Sequence, residues 1–288
     1  MPTIQKLLAQ GVQQLTKSTG STRLEAQVLL SHVLGVERSL LYAYPEREVT
    51  TEQAQRYLAL IERRLQGEPV AYLTGQKEFY GLDFFVDSRV LIPRPETELL
   101  VEAALAAGRE MLARERVPII ADIGAGSGAI PVTLAVQEPR LPYLYATDIS
   151  ADALVVARLN AERHHVESRI RLLQGDLLAP LPEPVDIITA NLPYIGTKEI
   201  SGLALDVRAY EPHLALFSGP EGLDLLEQFF AEVQRPGVLN DHAVLLLEIG
   251  YRQRAALSSL VRSIWPHASI TFQKDYTGWD RLLQVRPR

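Results

Sequence analysis

The sequence contains no cysteine, which excludes disulfides and thiolate metal sites. Its six histidines are scattered without ligand spacing, so no metal centre is expected. No apolar run approaches the roughly 20 residues needed to span a bilayer. The opening segment MPTIQKLLAQGVQQL lacks the succession of charged, apolar and small residues that marks a secretory signal. Nor is there an excess of positive charge: 35 acidic against 29 basic residues give a net charge of −6. Proteins that grip a nucleic-acid backbone draw most of their affinity from phosphate neutralisation, and no such global field exists here. The short Glu62-Arg63-Arg64 run reads as a solvated face, with a local basic groove kept open as an alternative. These absences predict a cytoplasmic chain, away from membranes, acting on a protein or a small molecule.

What is present is the composition of a soluble globular protein: 288 residues, 47% apolar and 22% charged, enough for one large domain or two ordinary ones. Residues 1–75 read as a small helical domain with nothing catalytic in it. A first helix is expected over Ile4 to Leu15. Thr22 and Glu25 form a capping-box pattern, followed by Leu24, Val28, Leu29, His32 and Val33 at helical spacing. A further helix carries Tyr57, Leu58, Ile61 and Leu65 on one stripe and stops at Gly67. Residues 76–93 read as a β-hairpin linker in which a Gly81-Leu82-Asp83 turn separates two aromatic runs. Pro95 then suits a first helical turn, with Glu96 and Glu98 near the positive end of the helix dipole.

From Val117 onwards, strand-like segments (PIIADIG, LYATDIS, RIRLLQGD, VDIITAN, AVLLLEIG) are short, apolar and end in turn residues, with amphipathic helices between the first three. That alternation predicts an α/β fold, a mostly parallel, doubly wound sheet covered by helices on both faces. The last segment, ASITFQKDYTGWDRLLQVRP, has two strand-like runs separated only by a turn, so an antiparallel C-terminal hairpin is expected. Residues 94–288 are assigned to this sheet domain.

The segment ADIGAGSGAI puts Gly124, Gly126 and Gly128 between a strand and a helix, where glycine permits positive φ and close approach of backbone to ligand. Its G-x-G-x-G spacing differs from the G-x-G-x-x-G of dinucleotide enzymes, and no Walker lysine loop exists. Asp148, ending the next strand, can accept from both ribose hydroxyls. Asp176 follows the third strand beside Leu177 and Leu178, where a carboxylate can meet an adenine amine and leucine can cover the ring. The structural alternatives are a helix N-cap for Asp148, a position Ser150 suits better, and a turn residue for Asp176. Together the loop and its acids predict an adenosine-containing cofactor at the carboxyl edge of the sheet.

The fourth strand delivers Asn191-Leu192-Pro193-Tyr194 to the same edge. Pro193 fixes its own φ and biases Leu192 towards extended geometry, which sets the direction of the Leu192 carbonyl. The Asn191 side-chain oxygen supplies a second acceptor, and Tyr194 a flat ring. Two acceptors and a stacking face suit a planar NH2 group, either an amide or the exocyclic amine of a base.

The glycine loop, the two acids and the terminal hairpin resemble the Rossmann-like S-adenosylmethionine-dependent methyltransferases. More specifically, EPVAYLTGQKEFYG, VLIPRPETELLVE, DIGAGSGAI, ATDIS, GDLL, NLPYI, YEPHLALFSGPEGL, LEIGYRQ and KDYTGWDR, in order from Glu68 to Arg281, are similar to the HemK/PrmC-type protein-glutamine methyltransferases. That family modifies the Gly-Gly-Gln glutamine of peptide chain release factors and also has a helical N-terminal domain. The resemblance implies S-adenosylmethionine as cofactor and class 1 release factors as protein substrates. The acidic charge balance argues against stable nucleic-acid binding, a monomer is expected, and residues 1–75, which carry no catalytic constellation, are expected to recognise the partner protein. The resemblance places Gly124, Ala125, Gly126, Ser127, Gly128, Asp148 and Asn191 at the cofactor, with Asp176 or Leu177 near adenine. It places Asn191, Leu192, Pro193 and Tyr194 at the substrate amide, with Arg94, Pro95 and Glu98 helping to close the pocket. For Glu211-Pro212, closing the pocket and a structural role are equally supported. The departure is Leu192, since the family motif is usually Asn-Pro-Pro-Tyr; leucine keeps the carbonyl, loses proline's fixed φ and regains an N–H. Three alternatives stay open: a nucleic-acid amino-methyltransferase, a non-catalytic adaptor, and a ribosomal protein as the glutamine substrate.

Overall fold

Threonine side chains start two helices near the N-terminus. In the computed structural model, which describes residues 1–16 and 21–287, Thr3 Oγ1 accepts from the Lys6 N–H at 3.4 Å and opens α1 (Ile4–Leu15). After α2 (Thr22–Leu34) and α3 (Arg38–Ala43), α4 (Thr51–Leu65) begins with a full capping box. Gln53 N donates to Thr50 Oγ1 at 3.2 Å, and Thr50 N donates to Gln53 Oε1 at 3.3 Å. The box expected at Thr22 does not form. Thr22 is already inside α2, and Glu25 is drawn to Arg64 of α4 by a two-pronged ion pair at 3.0 and 3.2 Å. A partly buried, charge-assisted contact outweighs a local cap. The buried face of α2 is therefore Ala26, Leu29, Leu30 and Val33, whereas Leu24 and His32 face solvent. In α4, Tyr57 and Ile61 are buried as expected, but Leu65 is exposed. Gly11 is required by this packing: a Cβ there would lie 1.9 Å from the Tyr57 hydroxyl oxygen.

These helices and α5 (Val70–Thr74) belong to a compact unit formed by Met1–Gln76 together with Leu203–Tyr210. The second segment, which the sequence alone assigns to the sheet domain, reaches this unit through polar contacts. Tyr210 Oη donates to the Gln66 carbonyl at 3.1 Å, and Asp206 approaches Arg64 at 4.0 Å.

The other unit comprises Lys77–Gly202 and Glu211–Arg288. Strands β1 (Gln76–Phe79) and β2 (Leu82–Phe85) make the expected hairpin, but its turn is Tyr80-Gly81, with φ of 53° and 74°. Two successive left-handed residues match the twist of the flanking strands, so Leu82 and Asp83 join β2 instead of forming the turn. A 3-10 turn (Pro95–Thr97) leads into α6 (Glu98–Ala113). The main sheet then follows from β3 (Ile120–Ile123), α7 (Ala129–Gln137), β4 (Leu144–Asp148), α8 (Ala151–Arg163), β5 (Ile170–Gln174) and β6 (Val185–Ala190). The short helix α9 (Leu205–Tyr210) belongs to the N-terminal unit. The sheet is completed by α10 (Asp224–Val233), β7 (Leu239–Glu248), α11 (Arg254–Ile264), β8 (Ser269–Lys274) and β9 (Asp280–Arg286).

The strand order is β5-β4-β3-β6-β7-β9-β8, parallel from β5 to β7 and antiparallel at the last two pairings. The final strand is inserted, β9 pairing with β7 and leaving β8 at the edge. Every residue of β3 and β6 is buried, as a sheet covered on both faces requires. The chain leaves β3 towards β4 and β5 and returns to β6 on the other side. The loops after β3 and β6 diverge at this switch point, and a crevice opens at their carboxyl ends.

Candidate active site

The loop after β3 is held in place mainly by the strand beside it. The N–H groups of Gly124 and Ala125 both donate to the Thr147 carbonyl at 2.9 Å, and the Gly126 N–H donates to Asp148 Oδ2 at 2.8 Å. All three glycines have positive φ. At Gly128 a Cβ would also stand 3.2 Å from Cα and Cβ of Ala157, so the loop lies directly on α8. From α8, the fully buried Asn160 donates to the carbonyls of Ser127 (2.8 Å) and Phe85 (2.9 Å) and accepts from the Phe85 N–H at 2.7 Å. One asparagine thus ties the glycine loop to β2. Its only sequence signal is an amide on a helix face otherwise occupied by Ala153, Val156 and Ala157.

Asp148 Oδ1 accepts from the Ser150 N–H at 2.9 Å, while Ser150 caps α8 through Ala153 N at 3.2 Å. Burial raises the Asp148 carboxyl above its ordinary range, opposed by the backbone N–H groups of Ser150, Gly126 and Ile149. Three backbone N–H groups on a carboxylate with about four lone-pair sites still leave acceptor capacity for a ligand. Behind it, Asp122 of β3 faces Thr189 of β6, whose hydroxyl donates to Oδ1 at 2.7 Å. Its Oδ2 is buried without a hydrogen-bond partner among the described residues, and burial pushes this carboxyl up to about 7. After β5, Asp176 Oδ2 accepts from Gln228 at 3.0 Å. Leu177 sits in the left-handed region at φ 42°, its carbonyl accepting from Thr147 Oγ1 at 2.9 Å.

Beyond β6, the Asn191 Nδ2 donates to Thr97 Oγ1 at 3.1 Å. Thr97 Oγ1 donates to Glu248 Oε2 at 2.6 Å, and Tyr194 Oη donates to Glu248 Oε1 at 3.1 Å. Both ends of the Asn-Leu-Pro-Tyr segment therefore converge on one carboxylate. Burial raises the Glu248 carboxyl, and the two hydroxyls oppose that rise. The Tyr194 hydroxyl is pushed up by burial and by the neighbouring Glu248 charge. Gln253 fixes the backbone, donating to the carbonyls of Tyr194 (3.1 Å) and Gly222 (2.9 Å). The Leu192 side chain is buried and packs against Gly124, joining the segment to the glycine loop.

These groups surround a cavity of about 190 Å³. Gly124, Ala125, Gly126, Ser127, Asp148, Asp176, Leu177, Asn191, Leu192, Pro193 and Arg94 all line it, and Gly128 lies just behind in the loop. Tyr194, Pro95 and Glu98 do not. The Tyr194 hydroxyl is tied to Glu248, Pro95 opens the 3-10 turn, and Glu98 Oε1 accepts from the Tyr80 N–H at 3.0 Å. The RPETE block instead contributes Thr97, which lines the cavity. Arg94 forms an ion pair with buried Glu211, which also accepts from the Ile92 N–H at 3.1 Å, and Pro212 reaches the wall. Thr97, Glu248, Asn160 and Gln253 were not legible as site residues. Among the described residues no group of three or more His, Cys, Asp or Glu side chains is arranged to hold a metal ion.

The wall suits an adenosylated cofactor. A carboxylate with free lone pairs ends β4, a second follows β5 beside Leu177, and the glycines leave the backbone bare between them. Comparison with known proteins agrees. Residues 6–75 match the model of the PrmC N-terminal domain, and residues 97–206 that of the methyltransferase small domain. A release factor glutamine methyltransferase of Moorella thermoacetica is 43% identical over 281 residues, spanning 97% of this chain and 96% of the relative. Those of Chlorobaculum tepidum and Bacillus subtilis are 40% and 36% identical, over 93% and 98% of this chain and 91% and 97% of theirs. Two solved structures share the fold at low identity. A Pyrococcus furiosus methyltransferase has a TM-score of 0.50 and 19% identity, over 82% of this chain and 98% of that one. The hMettl16 catalytic domain, solved with a MAT2A 3′UTR hairpin, has a TM-score of 0.55 and 16% identity, over 83% and 82%. With such identity to curated relatives over nearly the full length of both chains, this chain belongs to the release factor glutamine methyltransferase family.

Proposed function

We propose that this chain methylates the side-chain amide nitrogen of the glutamine in the Gly-Gly-Gln motif of class 1 peptide chain release factors, with S-adenosylmethionine as methyl donor. The observation that carries the reading is the state of Asn191 on the cavity wall. Its Nδ2 is engaged by Thr97, and its Oδ1 accepts no hydrogen bond among the described residues. An acceptor is therefore available beside the Leu192 carbonyl for the two hydrogens of an incoming amide.

An amide nitrogen is a weak nucleophile because its lone pair is delocalised into the carbonyl. Acceptors on its hydrogens favour the rehybridised nitrogen and orient its lone pair, so the residues here act by positioning and electrostatic complementarity. The cofactor, when bound, supplies an electrophilic methyl group on a sulfonium. Asp148 would hold the ribose hydroxyls, Asp176 and Leu177 the adenine, and Gly124 to Gly128 the close backbone approach. Asn191 and Leu192 would receive the amide, with Pro193 fixing the carbonyl direction and Tyr194 holding the turn from behind. Arg94 would help close the pocket, steadied by Glu211.

The N-terminal helical unit is assigned recognition of the partner protein, since none of its described residues lines the cavity. No helix among the described residues is long and apolar enough to cross a membrane, and we assign the protein to the cytoplasm, where release factors work. Net charge of −6 favours a protein over a nucleic-acid substrate.

The test is methyl transfer from labelled cofactor to release factor, to a Gln→Ala factor, to ribosomal proteins and to RNA. Label on the Gly-Gly-Gln glutamine alone is expected. Asn191→Ala should lower kcat by about 100-fold or more while cofactor affinity changes far less. Wild-type rates for Asn191→Ala, or label on another substrate, would overturn the assignment.

A further inference from the structure

Asparagine can present either end of its amide, and only the oxygen end can accept from a substrate NH2. The choice is made by what lies behind it. Thr97 Oγ1 stands between Asn191 Nδ2 at 3.1 Å and Glu248 Oε2 at 2.6 Å, with one hydrogen to donate. Glu248 is completely buried, and its other oxygen takes the Tyr194 hydroxyl. With a hydroxyl directed at each of its oxygens, Glu248 acts as the acceptor, and Thr97 spends its hydrogen on it. Thr97 can then only accept from Asn191, and Nδ2 must turn towards it. Oδ1 is left for the cavity.

We propose that Thr97 and Glu248 are positioning residues that set the polarity of the Asn191 amide, so that its oxygen meets the substrate. Residues 94 and 57 positions away in sequence thereby make one side-chain orientation dominant. The opposite arrangement, Thr97 donating to Asn191 Oδ1, would require Glu248 to supply a hydrogen and would present an NH2 group to the substrate's own NH2. The inference rests on the assignment of Asn191 as the amide receptor. It makes a separate statement about the protein without substrate.

Two measurements separate the two claims. In full-length protein, one Asn191 Nδ2 hydrogen should resonate downfield of free amides and exchange slowly with solvent. Thr97→Val, which keeps the shape but removes the hydroxyl, should return it to the free-amide position, and Thr97→Ser should restore it. In single-turnover methylation of a release factor, Thr97→Val should lower the rate at saturating substrates by about 10- to 100-fold. Cofactor Kd and release factor KM should change less than about threefold, and Thr97→Ser should recover most of the rate. Should Thr97→Val fail to fold, Glu248→Gln decides. A glutamine can offer Thr97 either a donor or an acceptor, so the Asn191 amide should show two environments or exchange broadening. An Asn191 signal unmoved in Thr97→Val or Glu248→Gln, or folded Thr97→Ser as impaired as Thr97→Val, would overturn the proposal. If wild-type protein leaves release factors unmethylated, the substrate assignment fails, and the spectra alone still decide the orientation.

Discussion

Replacing Asp122 by asparagine should stabilise the cofactor-free protein, and by an amount that depends on pH in a stated way. Asp122 is fully buried in the central strand with one oxygen on Thr189 and the other without a partner. Burial holds its carboxyl at about 7 against an ordinary value of 3.8. Well below pH 3.8 the group is protonated in both folded and unfolded chains, and Asp122→Asn should be close to neutral. As pH rises towards 7 the unfolded chain releases this proton while the folded chain keeps it, so wild-type stability falls relative to the variant. The difference should be about 1.5 kcal/mol at pH 5 and level off near 4 kcal/mol above pH 7, to order of magnitude. Asparagine preserves the acceptor for Thr189 and carries no charge. Urea denaturation of both proteins at pH 5, 6, 7 and 8 measures the difference directly. A difference independent of pH, or one that shrinks as pH rises, would mean that this carboxylate is not destabilised by its site.

Asp148→Ala should weaken S-adenosylmethionine binding by about 1.5–3 kcal/mol in calorimetry, through lost charge-assisted bonds and a Gly126 N–H left without its acceptor; unchanged affinity in a folded variant would remove Asp148 from the site. Asn160→Ala should cost about 2–4 kcal/mol of stability and also weaken cofactor binding, because both the glycine loop and β2 lose their tie. A stability loss with cofactor affinity intact would confine Asn160 to a structural role. Tyr57→Phe should be neutral or stabilise by up to about 1 kcal/mol, since the buried hydroxyl has no partner among the described residues, whereas Gly11→Ala should be severe because its methyl would occupy the position of that hydroxyl. Thermal unfolding that ranks these two variants the other way would refute the packing argument.

Much of the site was legible because its chemistry is written at strand ends, where a few consecutive residues set their own geometry. Glycines at 124, 126 and 128 can mean positive φ wherever they occur, and all three have it. Pro193 constrains Leu192 without help from the rest of the chain. Asp148 ends and Asp176 follows strand-like runs that the intervening helices make parallel, so both reach the same edge of the sheet. Alternating buried runs and helices likewise determined the doubly wound sheet, and the short C-terminal turn its antiparallel hairpin.

What local pattern could not supply was the identity of distant partners. The Thr22 capping box was a sound local expectation, but Glu25 has a stronger partner 39 residues away in Arg64. Tyr194 reads as a stacking face, and nothing near it in sequence shows that its hydroxyl meets Glu248. Thr97 and Glu248 lie 151 residues apart, one in a 3-10 turn and one at a strand end, and neither looks unusual where it stands. The insertion of β9 between β7 and β8 is equally invisible locally, because a hairpin can dock by either strand. The sequence by itself determined which side chains could bind a cofactor and an amide. Only tertiary packing, by burying the Glu248 carboxylate against the Thr97 and Tyr194 hydroxyls, decided which way the critical amide faces.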